Sequence, residues 1–287
     1  MAPELSPTVC RRRLAVELRR LREAVGLSGV QVADQLKWST SKISRLENGQ
    51  ILPRERDVRT LLTHYRIGST TSEFLLELAS RAESKGWWDA YADTLPESYV
   101  TYVGLESAAE EMLTWQSRGI PGLLQTVAYA RALNSTETFT RLSPGEVERR
   151  TQVRVRRQGL VMDGTLKVSA VVDESALLRR FGTEEVMRDQ LRHLHELAGL
   201  PNVSVRVLAL DGPHPIDSDS FVILKFPEIN GFGPLYGDVV YLESVAGGTF
   251  QEDEATTYRF RLLLDHLRDA ALTEAESMEL IAARVGL

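Results

Sequence analysis

The chain has 287 residues, with 34 Lys+Arg against 40 Asp+Glu and 43% hydrophobic residues, which excludes a disordered or fibrous chain and suits two globular domains. No run approaches the ~20 apolar residues that span a bilayer, and residues 1–13 lack the apolar core of a signal peptide. The single cysteine, Cys10, excludes an intrachain disulfide framework and a multi-thiolate zinc site, so a cytoplasmic protein is expected. The net charge of -6 hides a partition: residues 1–68 hold 13 Lys+Arg against 7 Asp+Glu, or +6, leaving -12 for the remainder. A basic segment on an acidic body suggests an element that meets phosphate and a body that does something else; a solvated basic face gives the same count.

In chain order, Leu14, Leu18, Leu21 and Val25 recur at spacings of four, three and four, one face of a helix that Gly26 ends. Ser28 caps a second, short helix through Gln31, Val32, Ala33 and Leu36, and Ser39 caps a third whose inward residues are Ile43 and Leu46, stopped by Gly49. Two short helices joined by a tight turn and preceded by a longer one have the organisation of a helix-turn-helix, whose second member enters the DNA major groove. Rotating by ~100° per residue, with the bisector of Ile43 and Leu46 as the buried direction, turns Ser41, Arg45 and Asn48 outward and places Thr40, Lys42 and Ser44 beside them. Arg grips guanine O6 and N7 together, and short hydroxyls allow close approach to bases or phosphates. Ser, Lys and Arg also populate ordinary solvated faces.

The string GLSGVQVADQLKWSTSKISRLENGQILP, residues 26–53, resembles the Xre-type helix-turn-helix family of bacterial and phage repressors, most specifically in WSTSKISRLENG. The resemblance implies an all-α, five-helix, lambda-repressor-like domain in which Thr40, Ser41 and Arg45 read bases, with Lys42 and Ser44 in support. It also implies a structural ion pair between Arg22 and Glu47 that does not touch DNA. The family usually has Gln where Gly29 stands, so that phosphate contact is lost or moves to Gln31. It favours Gly where Lys37 stands, and a left-handed backbone costs a non-glycine residue ~1–2 kcal/mol. Trp38 is expected to pack the turn. A fourth helix over residues 56–65 and a fifth over 72–84 complete the domain, with Arg54 and Arg56 placed for phosphate. One such domain reads a half-site, so a homodimer on an inverted-repeat, double-stranded operator is expected.

Beyond Gly86, Trp87, Trp88, Tyr91, Tyr99 and Tyr102 cluster around the break at Pro96, as packing or as a ligand cage, the former favoured. Residues 106–115 read as a helix with Ala109, Met112 and Leu113 inward. IPGLLQT, residues 120–126, turns into a helix running toward Leu133, and Ser143 and Glu146 form the capping box of an arginine-rich helix. Arg149, Arg150, Arg154, Arg156 and Arg157 make a basic island, open to a secondary DNA contact or an anionic ligand, or, the reading favoured, balanced by solvation and by ion pairs such as those offered by Glu146 and Glu148. Strand, helix and strand at residues 166–172, 184–198 and 203–210 favour a parallel crossover. Two more strands at 221–226 and 239–242, a turn at Gly247-Gly248, and helices at 254–272 and 274–285 close the chain. The domain is therefore α+β, a small mixed sheet of about four strands covered by helices, with boundaries expected at 1–85 and 86–287.

SKGWWD, LPESYVTYVGLE, IPGLLQT, DESALLRR, LPNVSVRVL, SFVILKF and VVYLES follow one another as in the uncharacterised C-terminal domain of WhiJ-like actinobacterial regulators. That resemblance runs from about residue 84 to the end. It implies a pathway-specific transcriptional regulator whose larger domain binds a ligand or a small partner protein encoded nearby; that domain is expected to dimerise and the partner to be acidic. For chemistry the candidates are Asp173, Glu174, His214, Asp217, Asp219 and Glu243, of which Asp173, His214 and Glu243 outline a candidate ligand pocket; Asp173 also suits a helix cap. His193 and His195 stand two apart, not at the four-residue spacing zinc uses, and no GxSxG, Walker A or GxGxxG occurs. No catalytic residue, metal or cofactor is expected. The alternative is a metabolite receptor or enzyme that uses the helix-turn-helix for localisation.

Overall fold

The structure, a computed structural model, describes residues 5–136, 142–212, 214–216, 218–244 and 247–286. Five helices open the chain: α1 (Pro7–Ala24), α2 (Gly29–Leu36), α3 (Thr40–Glu47), α4 (Glu55–His64) and α5 (Ser69–Ala82). Then follow α6 (Glu97–Glu106), β1 (Glu111–Gln116), α7 (Val127–Ser135), α8 (Pro144–Arg157), α9 (Gly159–Met162), β2 (Lys167–Asp173), α10 (Glu174–Leu178), α11 (Glu184–Leu197) and β3 (Val203–Leu208). The last third holds β4 (Phe221–Lys225), β5 (Glu228–Ile229), β6 (Gly233–Pro234), β7 (Val239–Ser244), β8 (Gly247–Gln251), α12 (Glu254–Ala270) and α13 (Glu274–Val285). Two compact units result: Met1–Ala90 with Glu228–Tyr236, and Tyr91–Pro227 with Gly237–Leu287.

In the first unit, α1 starts at Pro7, whose missing N–H costs nothing at a helix start, and buries Cys10, Leu14, Leu18 and Leu21 along one stripe. Val25 falls outside that stripe: α1 ends at Ala24 and Val25 is exposed, because Gly26 takes φ +71 and turns the chain away. A reciprocal capping box between Ser28 and Gln31 starts α2, and Lys37 at φ 54, ψ 40 ends it in the left-handed region. Leu14, Leu18, Val32, Ile43, Leu46 and Leu61 share one core, with Trp38 packed at its edge. Residues from far along the chain join this unit. β5 and β6 pair as a hairpin whose Phe232 ring stacks on Phe74 of α5 at 4.1 Å between centroids.

The second unit is built on a six-stranded sheet of order β3-β2-β1-β4-β7-β8. β1, β2 and β3 run parallel, and β4, β7 and β8 continue the sheet antiparallel. The parallel β2-α11-β3 crossover matches the sequence expectation, whereas six strands replace about four. Residues 106–115 are not a helix: α6 stops at Glu106 and 111–116 form the central strand β1. Its apolar residues fit both periods, and pairing decides the matter, with β2 on one side and β4 on the other. Gly247-Gly248 is likewise the start of β8 and not a turn. A Cβ on Gly248 would lie 2.2 Å from the Tyr241 ring, so the strand needs glycine there to let that ring cross it. Trp115, Val171, Phe221, Ile223 and Val240 form one apolar face of the sheet, covered by Leu264 and Leu267 of α12.

A buried ion pair organises the helices of this unit. Arg157 of α8 donates from Nε to Glu106 Oε1 at 2.7 Å and from Nη2 to Oε2 at 2.6 Å, and Tyr102 donates to the same carboxylate at 2.8 Å. Glu106 is 0% exposed and burial raises the Tyr102 phenol well above its ordinary pKa. The Tyr102 ring in turn stacks on Tyr241 of β7. Three arginines of the island are thus engaged within the unit, since Arg149 pairs with Asp93 at 2.8 Å and Arg154 donates to the Gln125 side chain beside the Arg157–Glu106 pair, whereas Glu148 pairs with Arg131, outside the island, and Glu146 accepts the Ser143 N–H.

Candidate nucleic-acid interface

The Ser39 hydroxyl accepts from the Lys42 N–H at 3.1 Å and starts α3, whose Ile43 and Leu46 are buried in the core. That anchoring leaves Thr40, Ser41, Ser44, Arg45 and Asn48 exposed. Among the described residues, the bonds of these side chains are local ones. Arg45 Nε donates to the Ser41 carbonyl at 3.3 Å and Asn48 Nδ2 to Ser44 Oγ at 3.3 Å, so α3 presents a polar face of one guanidinium, one amide and three hydroxyls. Such a face offers donors to guanine and acceptors or donors to the other base edges.

Lys42 differs from its neighbours. Its ammonium lies 2.9 Å from Asp57 of α4 and 3.6 Å from the Trp38 ring centroid, ties that hold α3 against α4. Gln31 also differs, since its Oε1 accepts the Ser28 N–H at 2.8 Å and serves the cap of α2. Gly29 lines a hollow of about 340 Å³ with Arg19, Val30, Thr40 and Ser44, between α1, α2 and α3. A Cβ at that position would rest at ordinary distance, 3.6 Å, from Ile43.

The basic excess of the first segment is therefore not one phosphate surface. Arg13, Arg19, Arg20 and Arg22 of α1 bond to Glu17, Glu23, Glu17 and Glu47, and Arg11 to the Ala82 carbonyl. Arg54, the N-cap residue of α4, and Arg56 are exposed beside the Lys42–Asp57 tie. Lys37, exposed two residues ahead of the α3 cap, was read from sequence only for its backbone conformation; its cation on a left-handed turn is a further phosphate candidate.

The structure also places the three residues considered for a ligand pocket. Asp173 and His214 line a cleft of about 560 Å³ with Trp115, Ser117, Ser175 and Ile216. Glu243 is not among its lining residues: it lies exposed on β7, separated from β2 by β1 and β4. Asp173 Oδ1 accepts the Ser175 N–H at 2.9 Å and caps α10, while Oδ2 lies 3.3 Å from His214 Nε2. His214 Nδ1 is 2.5 Å from the Ile216 carbonyl, so an acceptor stands at each ring nitrogen and neither is turned to a serine hydroxyl. Asp219 pairs with Arg118, Glu174 with Arg284, and Asp217 lies outside the described residues. Among the described residues no three His, Cys, Asp or Glu side chains come together as a metal-holding group, and no helix is long and apolar enough to cross a membrane.

Two family models match the chain. One, a helix-turn-helix domain, covers residues 13–73, and the other, a domain of unknown function (DUF5753), covers residues 99–283. No curated protein and no solved structure matches it.

Proposed function

From a chain that belongs to the DUF5753 family and carries a helix-turn-helix domain ahead of it, we propose a sequence-specific, DNA-binding transcriptional regulator of the Xre type, akin to the WhiJ-like actinobacterial group. The observation that carries the reading is the anchoring of α3 by Ile43 and Leu46, which leaves Ser41, Arg45 and Asn48 exposed for base edges. Thr40 and Ser44 extend that contact; Arg54, Arg56 and Lys37 supply phosphate contacts. Lys42 acts through the placement of α3, and Gln31 through the α2 cap.

The protein works in the cytoplasm as a homodimer on an inverted repeat, because one domain of this size reads one half-site. Its larger unit receives a ligand or a small acidic partner protein and is not an enzyme. A second reading, a metabolite receptor, rests on the cleft at Asp173 and His214. Selection of bound duplexes from a random pool by the full chain, followed by footprinting, tests the proposal. A two-fold symmetric motif is the expected result; an unsymmetrical motif would remove the dimer, and no enrichment would remove sequence-specific binding.

A further inference from the structure

The hairpin of β5 and β6 belongs to the helix-turn-helix unit, yet the strands on either side of it, β4 and β7, belong to the sheet of the larger unit. Its two ends are rooted side by side, because Leu224 of β4 and Val239 of β7 are direct partners. Both roots are fastened: Lys225 lies 2.7 Å from Glu111 and Asp238 lies 2.8 Å from Arg261 of α12. The intervening chain is an arm with a fixed base.

The tip is held as firmly as the base. Phe232 stacks on Phe74 with planes 14° apart. Arg13 of α1 donates from Nη1 to the Pro234 carbonyl at 2.8 Å and from Nη2 to the Phe232 carbonyl at 2.9 Å, while its guanidinium also pairs with Glu17. Leu235 is 1% exposed and Tyr236 is buried beside Arg12, where burial raises its phenol above the ordinary pKa. A solvated loop connecting two strands would show neither buried apolar residues nor a guanidinium fixed on two of its carbonyls.

We propose that this arm is the coupling element of the protein: a change in the β4-β7 pair of the larger unit is carried through Phe232 and the Arg13-bound carbonyls to α1 and α5 of the helix-turn-helix unit. The inference goes beyond DNA recognition and does not depend on it. Coupling requires that perturbing one end alters the free energy at the other, and the alteration must vanish when the arm is uncoupled.

Hydrogen exchange of the full chain without DNA tests this as a double-mutant cycle. Val240→Ala opens a cavity in the sheet core, Phe232→Ala removes the stack, and Arg13→Gln removes the guanidinium bonds while keeping Phe232. In the wild-type arm, Val240→Ala is expected to speed exchange in α1 and α5 at least about fivefold, the lower end of measured coupling. In either arm variant, the same substitution is expected to leave α1 and α5 unchanged. No acceleration in the wild-type arm, or equal acceleration in all three backgrounds, would overturn the proposal. The Arg13→Gln background decides if Phe232→Ala does not fold.

Discussion

Arg22 and Glu47 meet through two parallel N–H···O bonds of 2.7 and 2.8 Å, and the same guanidinium donates a third bond to the Leu27 carbonyl at 2.8 Å. One side chain thus fixes α1, the turn before α2 and the end of α3 relative to one another. The side chains are 12% and 9% exposed, so either charge left alone would be poorly hydrated. Glu47→Ala should cost about 3 kcal/mol of stability, and Arg22→Met with Glu47→Leu should cost less than Glu47→Ala alone, because the pair leaves together. Denaturant titration of the three proteins checks this, and a double variant less stable than Glu47→Ala would contradict it.

Arg45 is exposed and makes a single long bond within its own helix, so it contributes little to the fold. Arg45→Ala is expected to leave the melting temperature unchanged within a degree or two, and to lower preference for the selected site by about 10- to 100-fold, the worth of one bidentate base contact. Lys42→Ala should behave in the opposite way and lower stability, since Lys42 bridges Asp57 and Trp38. An unaltered footprint for Arg45→Ala would remove that residue from the interface.

The Arg157–Glu106 pair should be the most sensitive point of the larger unit. Glu106→Gln leaves a buried guanidinium without its counter-charge, for a cost of about 3–5 kcal/mol. Thermal unfolding of the larger unit, followed by hydrogen exchange in β1 and α8, is then expected to move strongly downward. A Glu106→Gln protein that melts like the wild type would show that Arg157 finds another partner.

Cys10 sits on α1 at 0% exposure, and burial raises its thiol pKa from 9.0 to about 11. A raised folded value disfavours the thiolate in the native state. The corresponding stability is whole below pH 9 and is lost as pH rises from about 9 to about 11. Stability should therefore fall over that range, and less steeply in Cys10→Ala. At pH 8 a thiol reagent should label the denatured chain and spare the native one; rapid native labelling would contradict the burial.

The amino-terminal helices were legible because each is local: the stripe of Leu14, Leu18 and Leu21, the caps at Ser28 and Ser39, and the stop at Gly26 need no distant partner. The outward face of α3 followed from the same periodicity. β1 was not legible, because Met112, Leu113 and Trp115 suit a helix or a strand until β2 and β4 flank them. β8 was hidden by its glycines, which fit a turn and are needed only because Tyr241 lies against Gly248. Neither the Glu106–Arg157 pair nor the stacking of Phe232 on Phe74 leaves a local trace, since each joins residues far apart in the chain. In the candidate site, the sequence showed which side chains face outward but not that Lys42 and Gln31 are engaged elsewhere, which depends on Asp57 and Ser28.

The most direct test of DNA reading by α3 is the affinity of the full chain for its selected duplex and for a scrambled duplex of equal composition, measured at several salt concentrations. A preference of about a thousandfold or more is predicted for the selected duplex, with both affinities falling steeply as salt rises through the release of phosphate counterions. Equal affinity for the two duplexes at every salt concentration would contradict it.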